Sequence, residues 1–242
     1  MTTPSAPPRA WRAVLDRVEQ DLLAGRIGPG DRLPPERDLA AQLGVGRSSV
    51  REALRVLEVM GLIRTGTGSG PTSGAMVVAT PTGGMIALLR LQLAAQGFAL
   101  PDLVATRLLL EEATARALSR QENADLAPAR ALLGAMDDQT LSPAEFLALD
   151  ARFHVTLAEA AGNTVVAATM AGLRSAVEDY VREGAARIPD WGATAARLRS
   201  EHRAIVAAME MGDADAAASL VRAHITGYYD EVRLQRAFGE GG

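Results

Sequence analysis

Leu33–Leu62, LPPERDLAAQLGVGRSSVREALRVLEVMGL, is the stretch that decides the fold. It reads as two helices joined by a tight turn. The first is short, from Glu36 to Leu43. Gly44, Val45 and Gly46 form the break, where glycine supplies the backbone freedom of a sharp turn. The second runs from Arg47 to Met60, and Gly61 ends it. At helical spacing Val50, Ala53, Leu54, Leu57 and Met60 share one side. Arg47, Arg51 and Arg55 are spaced by four and share another side with Ser48.

An apolar face of this kind must bury against partner helices. A row of guanidiniums near a helix N-terminus suits phosphates and guanine edges in a DNA major groove. Short helix, glycine turn and basic second helix make the helix-turn-helix pattern. A helical hairpin with a solvated arginine face has the same two sides, and for a lone amphipathic helix that is the default reading. The surrounding sequence shifts the balance. Ile27 to Ile63, IGPGDRLPPERDLAAQLGVGRSSVREALRVLEVMGLI, resembles the winged helix-turn-helix of the GntR family of bacterial transcription regulators almost continuously. The resemblance implies DNA contacts from Arg37, Arg47, Ser48 and Arg51, with Gly68 at the wing tip. Pro35 and Gly46 stand where the family more often has Ser, Ala or Thr; both are tolerated at a helix start but weaken capping.

Outward from this stretch, Trp11, Val14, Leu15, Val18, Leu22 and Leu23 recur at helical spacing between Arg9 and Ala24. This helix is expected to cover the apolar side of the helix-turn-helix. Leu62–Thr65 and Ala75–Ala79 read as two short strands around the glycine-rich GTGSGPTSG, the wing. The domain expected over 9–79 thus follows a disordered tail at 1–8 and is followed by a linker at 80–84, TPTGG. From 85 to 236 no strand pattern occurs. Seven helical segments do, at 85–96, 101–120, 123–137, 143–161, 163–186, 191–210 and 213–236, with short connections that imply an antiparallel bundle. The fold class is mainly α: a winged helix-turn-helix followed by an antiparallel helical bundle.

Composition agrees. The 242 residues suit one or two domains with a substantial core. Hydrophobic residues make up 48%, rich in alanine and leucine, which favours helices. No cysteine is present, so disulfides and thiolate metal sites are excluded. Lysine is also absent, which excludes the lysine-bound pyridoxal phosphate that some GntR-type proteins carry. The start, MTTPSAPPRAW, has no apolar run like a signal peptide, and no stretch approaches a membrane span; a cytoplasmic protein is expected. The net charge of −4 looks wrong for a DNA binder but is unevenly placed. Residues 1–80 carry ten arginines against eight acids, and residues 81–242 fifteen against twenty-one. Docking responds to the local field, not the total.

The three histidines, His154, His202 and His224, fall on three different helices of the second half, each among apolar neighbours. Asp150 precedes His154 by four residues, so the two side chains face the same way. One carboxylate and three imidazoles on facing helices can hold a divalent metal: zinc first, with nickel, manganese or iron as alternatives. Three separate structural histidines are the plainer reading of each residue alone. The pattern DxxFH, then EH with an apolar pair, then AHI, with RLLLEEATARALS at 107–119 and AAGN at 160–163, resembles the ligand-binding domain of the FCD branch of GntR regulators. That resemblance implies Asp150, His154, His202 and His224 as metal ligands.

Arg107 lies one turn before Glu111 on a leucine-rich helix. The resemblance allows it to face an effector cavity, where a guanidinium clamps a carboxylate bidentately. Pairing with Glu111 on a helix surface is the alternative. Arg174, in MAGLRSAV, is a second candidate of the same kind. The sequence therefore reads as a homodimeric, non-membrane regulator that binds operator DNA. A small carboxylate at the metal site controls it, with repression relieved by the effector. A metal-dependent hydrolase with a DNA-binding appendage is the competing class. Catalysis lacks a base: Glu201 adjoins His202, but helix neighbours point about 100° apart.

Overall fold

The computed structural model describes residues 10–66, 74–78, 83–95 and 97–239. The expected tail at 1–8, the wing-tip Gly68, the linker residues 80–82 and the last residues 240–242 lie outside the described residues. Contacts divide the chain into two compact units, Met1–Met85 and Ile86–Gly242. Among the described residues there are ten α-helices and two strands.

In the first unit, α1 (Ala10–Leu23), α2 (Glu36–Leu43) and α3 (Arg47–Val59) pack on a hairpin of β1 (Ile63–Gly66) and β2 (Gly74–Val77). The strands are antiparallel with Ile63 opposite Val77. The segment before α2 lies along the free edge of β2: Leu33 N–H donates to Ala75 O at 2.9 Å and Val77 N–H to Asp31 O at 2.8 Å. Val14 and Val18 of α1 meet Leu39 of α2, Val50, Ala53 and Leu57 of α3, and Ile63 and Val77 of the hairpin in one buried cluster. Each such side chain, fully buried, contributes roughly 1.5–3 kcal/mol of transfer free energy.

Several local expectations are corrected. Gly44 ends α2 at φ 63, in the left-handed region that glycine enters without strain. Gly46 has φ −71, which any residue can adopt, so its freedom is not used. Neither Pro35 nor Gly46 supplies a side-chain cap. Leu23 is 82% exposed. It follows Val18 by five residues, about 140° around the helix, so it leaves the buried stripe. Met60 caps α3 and is 50% exposed instead of completing its apolar face. The helix after the wing begins at Gly83, inside the stretch read as linker. A Cβ at Gly84 would sit 2.3 Å from the Met60 carbonyl oxygen, so only glycine permits that approach.

The second unit is a bundle of α4 (Gly83–Ala94, which begins in the first unit), α5 (Leu100–Ser119), α6 (Ala127–Met136), α7 (Pro143–Ala160), α8 (Thr164–Ala185), α9 (Trp191–Glu210) and α10 (Ala214–Gly239). The boundaries follow from caps. Ser142 and Glu145 form a reciprocal capping box at α7, with Pro143 at its first position. Asn163 caps α8 and Asp190 caps α9. Gly162 at φ 83 and Gly212 at φ 74 turn the chain between helices. α6 starts at Ala127 rather than 123, because Asp125 Oδ1 accepts from the Ala127 N–H and Pro128 occupies the first turn. The core joins Leu118, Phe146, Phe153, Leu198, Ile205 and Ile225, all with at most 2% exposure. α5 packs on α7, α8, α9 and α10, so this helix is the bundle's shared partner. No described helix is long and apolar enough to cross a membrane.

Candidate DNA interface and candidate metal centre

Burial of Val50, Ala53, Leu54 and Leu57 leaves the opposite side of α3 outward. Arg47, Ser48, Arg51 and Arg55 are exposed there, and Arg37 is exposed on α2. Arg51 Nε lies 3.5 Å from Glu36 Oε2, a loose pair across the two helices. Arg37 Nε donates to Asp38 Oδ1 at 3.2 Å. Arg47 and Arg55 form no ion pair among the described residues. Exposed pairs of this kind hold a side chain by about 1 kcal/mol or less, so they yield readily to a phosphate. Gly68 cannot be placed, because it lies outside the described residues.

In the bundle, the fold brings the four sequence-chosen donors together. One ligand atom from each of Asp150, His154, His202 and His224 lies within 4.8 Å of the others, and all four residues are buried. His154 Nε2 is 3.2 Å from His224 Nε2. Asp150 Oδ1 is 3.0 Å from His202 Nε2, 3.7 Å from His154 Nε2 and 3.8 Å from His224 Nε2. α7 supplies Asp150 and His154 one turn apart, α9 supplies His202 and α10 supplies His224. Phe153 packs its ring against both His154 and His202, with centroids 5.2 and 4.7 Å away.

Residues around these donors aim them. His154 Nδ1 lies 2.5 Å from Glu111 Oε2 on α5. His224 Nδ1 lies 2.8 Å from Glu201 Oε2 on α9. Arg174 Nη1 on α8 donates to Asp150 Oδ2 at 2.9 Å, leaving Oδ1 toward the imidazoles. Burial works against ionisation of Asp150. Arg174, His154 and His202 outweigh it and hold that carboxyl well below the usual range. Burial likewise opposes ionisation of Glu111, but His154, Arg107 and Arg174 hold it well below. Burial pushes His202 down, and it pushes His224 down to about 4. Both imidazoles are therefore neutral near pH 7, the form that ligates a metal.

The donor set fits a divalent cation on two observations. In His202, a fully buried residue, Nε2 faces Asp150 Oδ1 at 3.0 Å and Nδ1 is a buried nitrogen with no hydrogen-bond partner. Such atoms are rare in folded proteins and carry a desolvation penalty unless something binds them. Second, when His154 and His224 each give Nδ1–H to a carboxylate, their Nε2 lone pairs face each other at 3.2 Å. Two lone pairs at that distance repel, and a cation between them removes the repulsion. Nitrogen and oxygen donors of this type suit zinc and also nickel, manganese or iron.

The arginines differ from their sequence ranking. Arg107 is buried and does pair with Glu111, so the two readings offered for it merge: it is an ion pair, but not on the surface. Nε donates to Glu111 Oε1 at 3.0 Å, Nη2 lies 2.9 Å from the same oxygen, and Nη1 donates to Tyr229 Oη at 2.9 Å. Its donors are committed, and it holds Glu111 against His154. Arg174 is the one with capacity: its Nε and Nη2 are buried without a hydrogen bond, Nε lying 4.0 Å from Glu111 Oε1. Those two N–H groups form one edge of the guanidinium, the edge that grips a carboxylate with two parallel bonds. A narrow cavity, with room of about 20 Å³, is lined by Arg107, Asp150, Arg174, His224, Tyr228 and Tyr229, among others. A second cleft, between α7 and α8, shares Asp150 and Arg174 with it and carries Arg152 and Arg182.

Sequence reasoning missed Glu111 as a partner of His154 and set Glu201 aside as a poor base. Glu201 does point away from His202, but it reaches His224 on the neighbouring helix.

Residues 11–72 match the gntR family of bacterial regulatory proteins, and residues 102–227 match the FCD domain. A protein of Escherichia coli (strain K12) described as an L-lactate dehydrogenase operon regulatory protein is 30% identical over 223 residues, covering 91% of this chain and 85% of its own length. The HTH-type transcriptional repressor NanR of Citrobacter rodentium is 30% identical over 227 residues, covering 92% of this chain and 85% of its own. Among solved structures, Streptococcus agalactiae GntR superposes with a TM-score of 0.61 at 23% identity, covering 95% of this chain and 100% of that one. These matches lend no support to the hydrolase alternative, because the matched family and relatives are transcription regulators.

Proposed function

The chain belongs to the gntR family of bacterial regulatory proteins, as a DNA-binding transcription regulator with an FCD domain, and we propose that a small carboxylate held at a metal centre controls it. The observation that carries this reading is the unpartnered edge of Arg174 beside the Asp150, His154, His202 and His224 cluster. A metal held by these four residues would supply a Lewis-acidic positive charge in a buried cavity. Arg174 would supply a matching fork of donors. Together they select an anion with a planar carboxylate over a neutral sugar or an amine. The wording for the Escherichia coli relative, an L-lactate dehydrogenase operon regulator, is in line with a hydroxy acid.

The protein acts in the cytoplasm as a homodimer whose two α3 helices read an inverted repeat. Arg37, Arg47, Ser48 and Arg51 contact DNA, and Gly68 of the wing lies beside it. Binding of the acid lowers operator affinity and relieves repression, as suits a chain whose Citrobacter relative is a repressor. The ligand must bind the two states of the protein unequally to do so.

The test begins with an operator selected from a random DNA pool by the purified protein. L-Lactate, malonate and citrate are then added to the complex. At least one of them should release the DNA from metal-loaded protein and leave the chelated protein unaffected. With metal kept saturating, because Arg174 also braces Asp150, Arg174→Ala should still hold DNA but lose the acid response. A selected pool without a common repeat, or an acid response that survives Arg174→Ala unchanged, contradicts the proposal.

A further inference from the structure

Three of the four donor residues are braced by a partner on a different helix. Asp150 of α7 is held by Arg174 of α8, His154 of α7 by Glu111 of α5, and His224 of α10 by Glu201 of α9. The braces differ in their surroundings. The side chains of Glu111 and Arg174 are 5% and 9% exposed and belong to one buried ion-pair network with Arg107 and Asp150. Glu201 is 28% exposed and lies at the edge of the site. Its other oxygen receives Arg197 Nη1 at 2.6 Å. Arg197 Nη2 in turn reaches Glu231 Oε2 at 2.6 Å, and Thr194 Oγ1 donates to Glu231 Oε1 at 2.6 Å. A chain of polar contacts therefore runs from His224 outward and stitches α9 to α10.

We infer that Glu201 is a positioning residue for the metal centre: it fixes His224 as the Nδ1–H tautomer and turns Nε2 inward. This rests on the metal reading above and extends it to a residue that touches neither metal nor acid. A neutral imidazole has one N–H and one lone pair, and the stronger acceptor decides which nitrogen keeps the hydrogen. Glu201 Oε2 is an ionised acceptor 2.8 Å from Nδ1, whereas Nε2 faces His154 Nε2 at 3.2 Å and Asp150 Oδ1 at 3.8 Å. The nearer, better-placed carboxylate takes the hydrogen, and the lone pair is left on Nε2. Partners of this kind set ligand orientation, and their removal weakens metal binding by about 10–100-fold. Arg197 and Glu231 keep Glu201 extended toward His224.

Two measurements on the full chain test this. Imidazole ¹⁵N NMR of metal-free protein should show His224 as the Nδ1–H tautomer in the parent and in Glu201→Gln, whose side-chain oxygen still accepts. Glu201→Ala should lose that preference. Zinc affinity, by competition with a chromophoric chelator, should fall about 10–100-fold in Glu201→Ala and much less in Glu201→Gln. The inference is overturned by an unchanged tautomer in Glu201→Ala, or by equal zinc losses in the Ala and Gln variants. A parent that binds no zinc while showing the expected tautomers refutes the metal reading and leaves only the orientation of His224 by Glu201, so the two failures are distinct.

Discussion

Protein purified without chelator should carry about one divalent ion per chain, and His202→Ala should lose most of it. His202 is the residue to change because it is fully buried, its Nδ1 has no hydrogen-bond partner, and its Nε2 lies 3.0 Å from Asp150 Oδ1 inside the donor cluster. Its ring packs against Phe153 and the other imidazoles. An ion present at 100 times its dissociation constant stabilises the folded chain by about 2.7 kcal/mol. For a chain of this size, that is roughly 5–10 °C in melting temperature. The parent should therefore melt roughly 5–10 °C lower after chelation. In His202→Ala the gap between loaded and chelated protein should nearly close. Thermal melts with and without chelator, alongside elemental analysis, read both quantities. Full metal content in variants of all three histidines would leave only structural histidines.

The second large effect falls on DNA binding. Arg47→Ala and Arg51→Ala should each weaken a specific operator by roughly 1–3 kcal/mol, which is about 5–150-fold. Both side chains are exposed and make no contact that supports the core. Folding stability should move by about 0.5 kcal/mol or less, which separates lost recognition from lost structure. Arg51 must leave its 3.5 Å partner Glu36 to reach DNA, so Glu36→Ala should bind at least as tightly as the parent. Affinity of the parent should fall steeply with salt, with a smaller slope in each arginine variant. Fluorescence anisotropy on one labelled operator across a salt series measures all of this. Parent-like binding by both arginine variants would show that α3 is not the reading helix.

What the sequence made legible divides along one physical line. Features written within a single helix could be read. Asp150 and His154 are one turn apart, and so are Arg107 and Glu111; both pairs meet. The caps at Ser142 and Asn163 and the apolar stripe of α3 are local in the same sense. Contacts between helices were legible only where the resemblance supplied them, as for His202 and His224. Where it did not, periodicity gave no help. Glu111 lies 43 positions before His154, and nothing in either helix announces the meeting. The surroundings of Arg107 and Arg174, which set what each guanidinium already contacts, were hidden for the same reason. The pairing of Arg107 with Tyr229 across 122 positions, which engages its third nitrogen, belongs to the packed bundle. Glu201 was judged by its neighbour His202, when its partner stood on α10.

The acid is where the account is most exposed, because metal, Arg174 and ligand must act together. An arginine–carboxylate hydrogen-bonded pair is worth about 1.5–3 kcal/mol, which is more than tenfold in affinity. The decisive measurement is calorimetric titration of L-lactate, malonate and citrate into metal-loaded parent, chelated parent and metal-loaded Arg174→Ala. At least one acid should bind the loaded parent, and its affinity should drop by about tenfold or more in each of the other two proteins. Equal affinity in all three would place the acid elsewhere on the chain and contradict the account.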